Sequence, residues 1–164
     1  VARTLTAAEL RGAFSRFATG VTVVTYEVEG EPRGFTVNSF TSVSLDPPLA
    51  LVSVARTAAA ASRLAGARFA INVLSEDQEA LALQFCGRQQ DDLEIGWRMT
   101  PGQAPELDDV VAAYQCSGWQ VVSAGDHDLH VAEVLSVRVE PEKSPLLFIN
   151  GKFVTAATGF LLAG

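Results

Sequence analysis

Stretches rich in β-branched and aromatic residues follow one another along this chain, while apolar residues at helical spacing are confined to a few short segments. TAAE at residues 6–9 is a capping box, and Leu10, Phe14 and Phe17 follow at helical spacing, which predicts an amphipathic helix to about Ala18, ended by Gly20. VTVVTYEV (21–28) reads as a strand, EGEPRG behind it as a turn, and the segment from Arg33 as the returning hairpin partner, with strand continuing through Val43. Asp46-Pro47-Pro48 cannot join a ladder and is expected to break the sheet. The apolar run LALVSVA after it predicts a strand buried on both faces, which delivers Arg56.

Thr57 can cap a short alanine-rich helix ending near Gly66, and RFAINVL (68–74) is the next strand. SEDQ (75–78) forms a second capping box, opening a helix through Leu81, Leu83 and Phe85 that stops at Gly87. Residues 88–109 read as an acidic loop anchored by Trp97, and a loop of that length in a compact domain is often functional. Two long strands, 110–124 and 129–139, join through the GDHD corner, and LLFINGKFV forms a hairpin on the type I′ turn of Asn150-Gly151. Helices fall at connections without β-α-β alternation, so the expected fold is mainly β with peripheral helices, a barrel and not a doubly wound sheet. The chain has neither G-x-G-x-x-G nor G-x-x-x-x-G-K, so a nucleotide would bind without a Rossmann or P-loop site.

With 164 residues and 48% apolar content, one domain can bury its own core. No run approaches the roughly 18 apolar residues of a membrane span, and the first ten residues lack a signal-peptide layout, so the expectation is a soluble, cytoplasmic protein with no membrane partner. Cys86 and Cys116 lack metal-ligand spacing with each other or with His127 and His130, and both are predicted to be reduced core thiols. A formal charge of −7 spread along the chain argues against nucleic acid. It leaves a small anion open, because backbone amides and one arginine can hold a phosphate on a protein of either sign.

The candidate chemistry concentrates in GFTVNSFTSVSLDPPLALVSVART (34–57), whose strands carry Thr36, Asn38, Ser39, Thr41, Ser42, Ser44 and Ser53 before Arg56. Two readings are open. Backbone amides and small hydroxyls suit a planar ring rich in acceptors, such as a flavin, with its phosphate at Arg56 and the helix that Thr57 opens. Equally, Ser and Thr populate the solvent face of many antiparallel sheets. His127, flanked by Asp126 and Asp128, could donate to a carboxamide or phosphate or be a plain surface histidine. No acyl-transfer nucleophile is visible. Asp91-Asp92 and Asp108-Asp109 read as turn caps, Trp119 and Trp97 as core and loop anchors, and Asn72 as a satisfied buried amide.

FATGVTVVT, GFTVNSFTSVSLDPPLALVSV, FAINVLSEDQEALALQFCG, PELDDVVAAYQC, AGDHDLHVAEV and PLLFINGKF occur here in one order, and in them the chain resembles the short-chain flavin reductase family. These are the reductase components of two-component flavin-dependent monooxygenases, which share a split β-barrel flavin-binding fold. The resemblance implies that Thr36, Val37, Asn38 and Ser39 hold the flavin ring, with Ser53 and Val54 beside them, Arg56 and Thr57 at the phosphate, and Phe85 near the ring. It places His127 at the nicotinamide side, with Phe153, where the family often has tyrosine, flanking the same pocket. Ala58 and Ala59 stand where relatives commonly offer hydroxyls, and Ala132 replaces a usual glycine.

FMN or FAD is the implied flavin, NADH or NADPH the hydride donor, and a flavin-dependent monooxygenase the recipient. The lack of an arginine cluster for a 2′-phosphate favours NADH. A homodimer is also implied, burying exposed strand faces and the C-terminal GFLLAG. Two alternatives are a flavin carrier or sensor on the same barrel, and a pyridoxamine-phosphate-type oxidase, which would carry more basic residues at its phosphate.

Overall fold

The computed structural model describes residues 4–156. In chain order the elements are α1 (Ala7–Phe14), β1 (Thr19–Gly20), β2 (Thr22–Val28), β3 (Glu31–Val37), β4 (Thr41–Leu45), β5 (Pro48–Ala55), α2 (Ala61–Leu64), β6 (Arg68–Val73), α3 (Glu79–Phe85), β7 (Trp97–Arg98), β8 (Glu106–Leu107), β9 (Ala112–Ala124), β10 (His127–Val139), β11 (Leu146–Ile149) and β12 (Lys152–Thr155). Seven strands form one antiparallel sheet in the order β3-β2-β6-β9-β10-β5-β4, accompanied by a β1-β11-β12 sheet and a β7-β8 ribbon. The fold is thus mainly β with a few helices at connections, as the pattern predicts.

Alternation along the strands gives the sheet two apolar faces. One buries Val24, Val52, Val54, Phe69 and Ile71 with Leu64 of α2. The other buries Val21, Val23, Leu74, Leu107 and Leu146 with Ala82 of α3. Each large side chain so removed from water contributes about 1.5–3 kcal/mol. Gly34 is required by the second face: a Cβ there would lie 3.0 Å from the Phe85 ring and 3.1 Å from Val23 Cγ1. The missing side chain lets α3 lie against β3.

Several expectations need correction. Asp46-Pro47 does not break the sheet; as a cis peptide it turns β4 into β5, and Pro48 pairs with Leu45 at the strand's start, where proline's missing N–H is tolerated. β5 is not buried on both faces: Ala50, Val52 and Val54 are buried while Leu49, Leu51, Ser53 and Ala55 are half-exposed, so one face remains accessible. The hairpin partner of β2 begins at Glu31, because Glu29 and Gly30, both at positive φ, already complete the turn. The first helix has its predicted capping box but ends at Phe14, and none of its residues is buried.

α2 starts at Ala61 with Ala60 before it, so Thr57 caps nothing; it lies in the preceding turn. Half of the second capping box forms, the Ser75 N–H donating to Gln78 Oε1 at 3.1 Å, and the helix begins only at Glu79. Cys86 is exposed, and Trp119 is 56% exposed and not core. Cys116 is the core thiol expected, and burial pushes its pKa up to about 12. Asn150 (φ 52) and Gly151 (φ 75) form the predicted turn. The terminal 159–164 stretch lies outside the described residues.

The 88–109 segment is fastened by buried polar groups that the sequence does not announce. Asn72 Nδ2 donates to Val23 O (3.0 Å) and Thr25 Oγ1 (2.9 Å), and Asn72 Oδ1 accepts the Leu107 N–H (2.9 Å). Gln115 exchanges both amide atoms with the Ala104 backbone and donates to Glu106 Oε1 at 2.9 Å. Arg138 then grips Glu106 Oε2 with Nε and Nη2, both at 3.1 Å. Thr25 donates to the Pro105 carbonyl. Asn72 is the satisfied buried amide expected, and the loop it holds contains the β7-β8 ribbon.

Candidate functional site

β3 ends at Val37 and β4 begins at Thr41, so the backbone of residues 38–40 lies outside the sheet's ladder. A groove of about 370 Å³ opens there. One wall is Phe35 to Ser39; the other is Ser53, Val54 and Ala55 of β5, and Ala58 and His127 complete the lining. Thr36, Val37, Asn38, Ser39, Ser53, Val54 and His127, scattered over 92 positions of sequence, are therefore brought to one place, since His127 pairs with Ala55 across the β10–β5 ladder.

Two of the hydroxyls also bond within the protein. Thr36 Oγ1 donates to the Ala82 carbonyl of α3 at 2.8 Å. Ser39 Oγ accepts the Ser53 N–H and donates to the Ser53 carbonyl, both at 3.0 Å, acting as a substitute ladder partner that stitches the end of β3 to β5. Val54 turns its side chain into the core, so only its backbone borders the groove. Asn38 is exposed, and its amide makes no hydrogen bond among the described residues. What the groove offers a ligand is thus backbone polarity, the Asn38 amide, the Ser53 hydroxyl, which makes no hydrogen bond among the described residues, and small side chains that permit close approach.

Arg56 leaves the end of β5, its N–H donating to the Asp126 carbonyl at 3.1 Å. Its Nε donates to Asp128 Oδ1 at 3.0 Å, an oxygen that also accepts from Ser123 Oγ at 3.1 Å. These bonds hold the Asp128 carboxyl below the usual carboxylate range, the Arg56 bond being the larger cause. The Arg56 side chain remains 46% exposed, within reach of an anion from solvent. Thr57 is exposed beside it and does not line the groove.

His127 follows the two-residue turn Gly125-Asp126, and its Nδ1 lies 2.7 Å from Asp126 Oδ1. That contact lowers the Asp126 pKa and orients the ring. With hydrogen on Nδ1 toward the carboxylate, Nε2 is an acceptor in the neutral ring and a donor in the protonated one. His130 faces the other side of β10 and is buried.

Phe85 and Phe153 do not join this group. Phe85 packs edge-on against Trp97 (centroids 5.9 Å apart) behind Gly34 and borders neither cavity. Phe153 sits 5.2 Å from Phe148 and lines a second cavity, which borders the opposite flank of the same strand end and includes Thr36, Val37 and Asn38 in its wall. Phe35 and Ala55 are not among the residues the sequence singles out, whereas Ala58 is, as a position where relatives commonly offer a hydroxyl. Ala55 could have been found by strand alternation, since it shares the Ser53 face; Ala58 lines the groove because its N–H bonds to the Ala55 carbonyl at 2.9 Å in a tight turn.

The sequence profile of the flavin reductase like domain matches residues 14–157. The chain belongs to this family. Among flavin reductase relatives, it is 46% identical over 128 residues to a probable flavin reductase of Rhizobium meliloti, covering 76% of this chain and 41% of that protein. It is 42% identical over 146 residues to the FMN reductase (NADH) SmoA of Agrobacterium fabrum, covering 87% and 82%. The chain spans about half the length of the first curated relatives it matches. The solved NADH:FAD oxidoreductase of Streptomyces globisporus in complex with NAD and FAD fragments superposes with a TM-score of 0.86 at 38% identity, covering 93% and 94% of the two chains.

Proposed function

We propose that this chain is an NAD(P)H:flavin oxidoreductase that reduces FMN or FAD, takes its hydride from NADH, and supplies reduced flavin to a partner flavin-dependent monooxygenase. The observation that carries this reading is the groove at the end of β3, where family membership meets a fitting donor set. Its volume of about 370 Å³ falls in the range of small-molecule sites, and its walls present backbone amides and alanines where a planar ring must lie close.

A bound flavin and nicotinamide would supply the redox chemistry themselves. The chain binds and orients. Residues 36–39 and the backbone of Ser53 and Val54 border the ring site, and the Ser39 stitch holds the two walls at a fixed separation. Arg56 meets the flavin phosphate by exchanging part of its bond to Asp128 for a charge-assisted one. Thr57 is kept at the phosphate end through its exposed hydroxyl, not through a helix cap. His127, oriented by Asp126, offers Nε2 to the nicotinamide nucleotide. No protein acid or base is needed for hydride transfer itself. Phe85 acts indirectly, by setting α3 against β3.

A homodimer belongs to the same proposal. Phe14 and Phe17 are 71% and 77% exposed, and Leu135, Val137 and Val139 form an exposed apolar row on β10. A second copy of the chain gives that surface a partner.

The test is NADH oxidation with added FMN or FAD, followed with the wild type and His127→Ala. Turnover with the wild type is expected; its absence with both flavins rejects the reductase reading. The variant should raise the KM for NADH with little change in flavin affinity. An unchanged KM for NADH in the variant would remove His127 from the site.

A further inference from the structure

The groove at the end of β3 lies along a seam. In the seven-stranded sheet β3 is first in spatial order and β5 sixth, so no ladder joins them, yet both supply walls of the groove. Among the described residues, the hydrogen bonds that join these two walls are those of Ser39 Oγ with the Ser53 N–H and carbonyl. The last register pair between β2 and β3 is Thr22–Val37, and there too a side chain takes part: the Thr22 hydroxyl donates to the Val37 carbonyl at 3.0 Å. Thr36 Oγ1 is tied to α3 through the Ala82 carbonyl. Three hydroxyl contacts, directed to β2, α3 and β5, thus hold residues 36–39, of which Asn38 and Ser39, like Phe40 after them, make no backbone–backbone hydrogen bond among the described residues.

Resting on the reductase reading, we propose that Thr22 is a positioning residue for the flavin ring: by holding the Val37 carbonyl it fixes, together with Ser39 beyond, the strand end on which the ring is bound. Thr22 is 2% exposed and borders neither cavity, so its effect on a ligand passes through Val37, which lines both. A segment outside any ladder has many conformations open to it, and a ligand that fits one of them loses affinity in proportion to the population of the others. The hydroxyl contacts remove those alternatives before a ligand arrives. They leave Asn38 and the Ser53 hydroxyl, beside the fixed points, open to it. The strand repeats the device elsewhere for a different end: the buried Thr25 hydroxyl donates to the Pro105 carbonyl, and neither residue borders a cavity.

The experiment titrates FMN and riboflavin by fluorescence, without NADH, into the wild type, Thr22→Val, Thr22→Ser and Thr25→Val. Thr22→Val keeps the side chain's shape and removes its hydroxyl. The dissociation constants of both flavins should rise together by roughly threefold to fivefold, the order by which one lost hydrogen bond shifts a conformational equilibrium. Thr22→Ser, which keeps the hydroxyl, should bind like the wild type, and Thr22→Ala carries the expectation of Thr22→Val should the latter not fold. Thr25→Val, on the same strand, should lower the urea midpoint and leave flavin affinity unchanged. Equal affinity losses in Thr22→Val and Thr25→Val would reflect a loosened strand and overturn the proposal. So would an unchanged affinity in Thr22→Val, or a loss confined to FMN, which would place the effect at the phosphate. Amide hydrogen exchange across residues 36–40 reads the contact in the flavin-free protein: it should be faster in Thr22→Val than in the wild type, and equal rates overturn the proposal. A wild type that binds flavin as described but oxidises no NADH would sink the reductase reading and leave the role of Thr22 standing. A wild type that binds neither flavin would sink both.

Discussion

The cluster around Asn72, Gln115 and Arg138 and the groove beside Asn38 are built from the same residue types, amides, hydroxyls and an arginine on strands, and they differ in where the hydrogen bonds go. In the first, both amide groups of Asn72 and Gln115 are bonded within the protein, and Arg138 reaches Glu106, Glu140 and the Leu107 carbonyl. In the second, the Thr36 and Ser39 hydroxyls are bonded inward while Asn38, the Ser53 hydroxyl and the 38–40 backbone are left to the outside. Polar groups that close on each other hold a loop; polar groups left open can receive a ligand. Residue type alone does not separate the two cases, because the partners come from other strands.

The contrast can be broken most severely at Asn72. Asn72→Ala leaves the Leu107 N–H and the Val23 carbonyl without their side-chain partner in a buried place, and at roughly 1–3 kcal/mol for each lost contact the variant should unfold about 3 kcal/mol more easily in urea. Enzyme still folded should keep its KM for NADH. A stability change under 1 kcal/mol would show that water replaces the amide.

Arg56→Ala probes the open cluster. It should weaken FMN binding by about 1.5 kcal/mol, the lower end of the charge-assisted range because the guanidinium is partly exposed, with riboflavin almost unaffected and stability little changed. Equal losses for FMN and riboflavin in fluorescence titrations would assign the arginine to structure.

The smallest effect comes from a polar group that belongs to neither cluster. His130 is 2% exposed, neither ring nitrogen has a partner among the described residues, and burial lowers its pKa, with Asp128 partly opposing. The unfolded chain takes up its proton near pH 6.5 and the folded one only below that. Its contribution to stability is therefore full above about pH 6.5 and is lost as pH falls through that value toward the folded pKa. Urea midpoints at pH 7.5 and 5.5 should differ less in His130→Phe than in the wild type. Equal differences would mean that His130 is solvated.

Local pattern carried much of the architecture. The Thr6 capping box, the β2 and β6 strands and the Asn150-Gly151 turn depend on neighbours within a few residues, and they are found as expected. What failed depended on distant partners. β5 looked buried on both faces because its residues are apolar, yet the sheet covers one face and leaves Ser53 and Ala55 to the groove. Thr57 looked like a cap because only structure shows that the 57–60 turn must finish before a helix can start. The groove residues 36–39 and His127 were legible through family resemblance.

The Arg56–Asp128 bond gives the proposed function a kinetic character. Because the arginine already has an anion, a phosphate bound there as proposed would compete with a tethered carboxylate that is never more than a bond rotation away. That competitor would weaken the hold on a phosphate, since each phosphate contact would be made at the expense of the Asp128 bond. On the proposed reading, a flavin whose phosphate met Arg56 would be more easily released than one facing an uncommitted arginine.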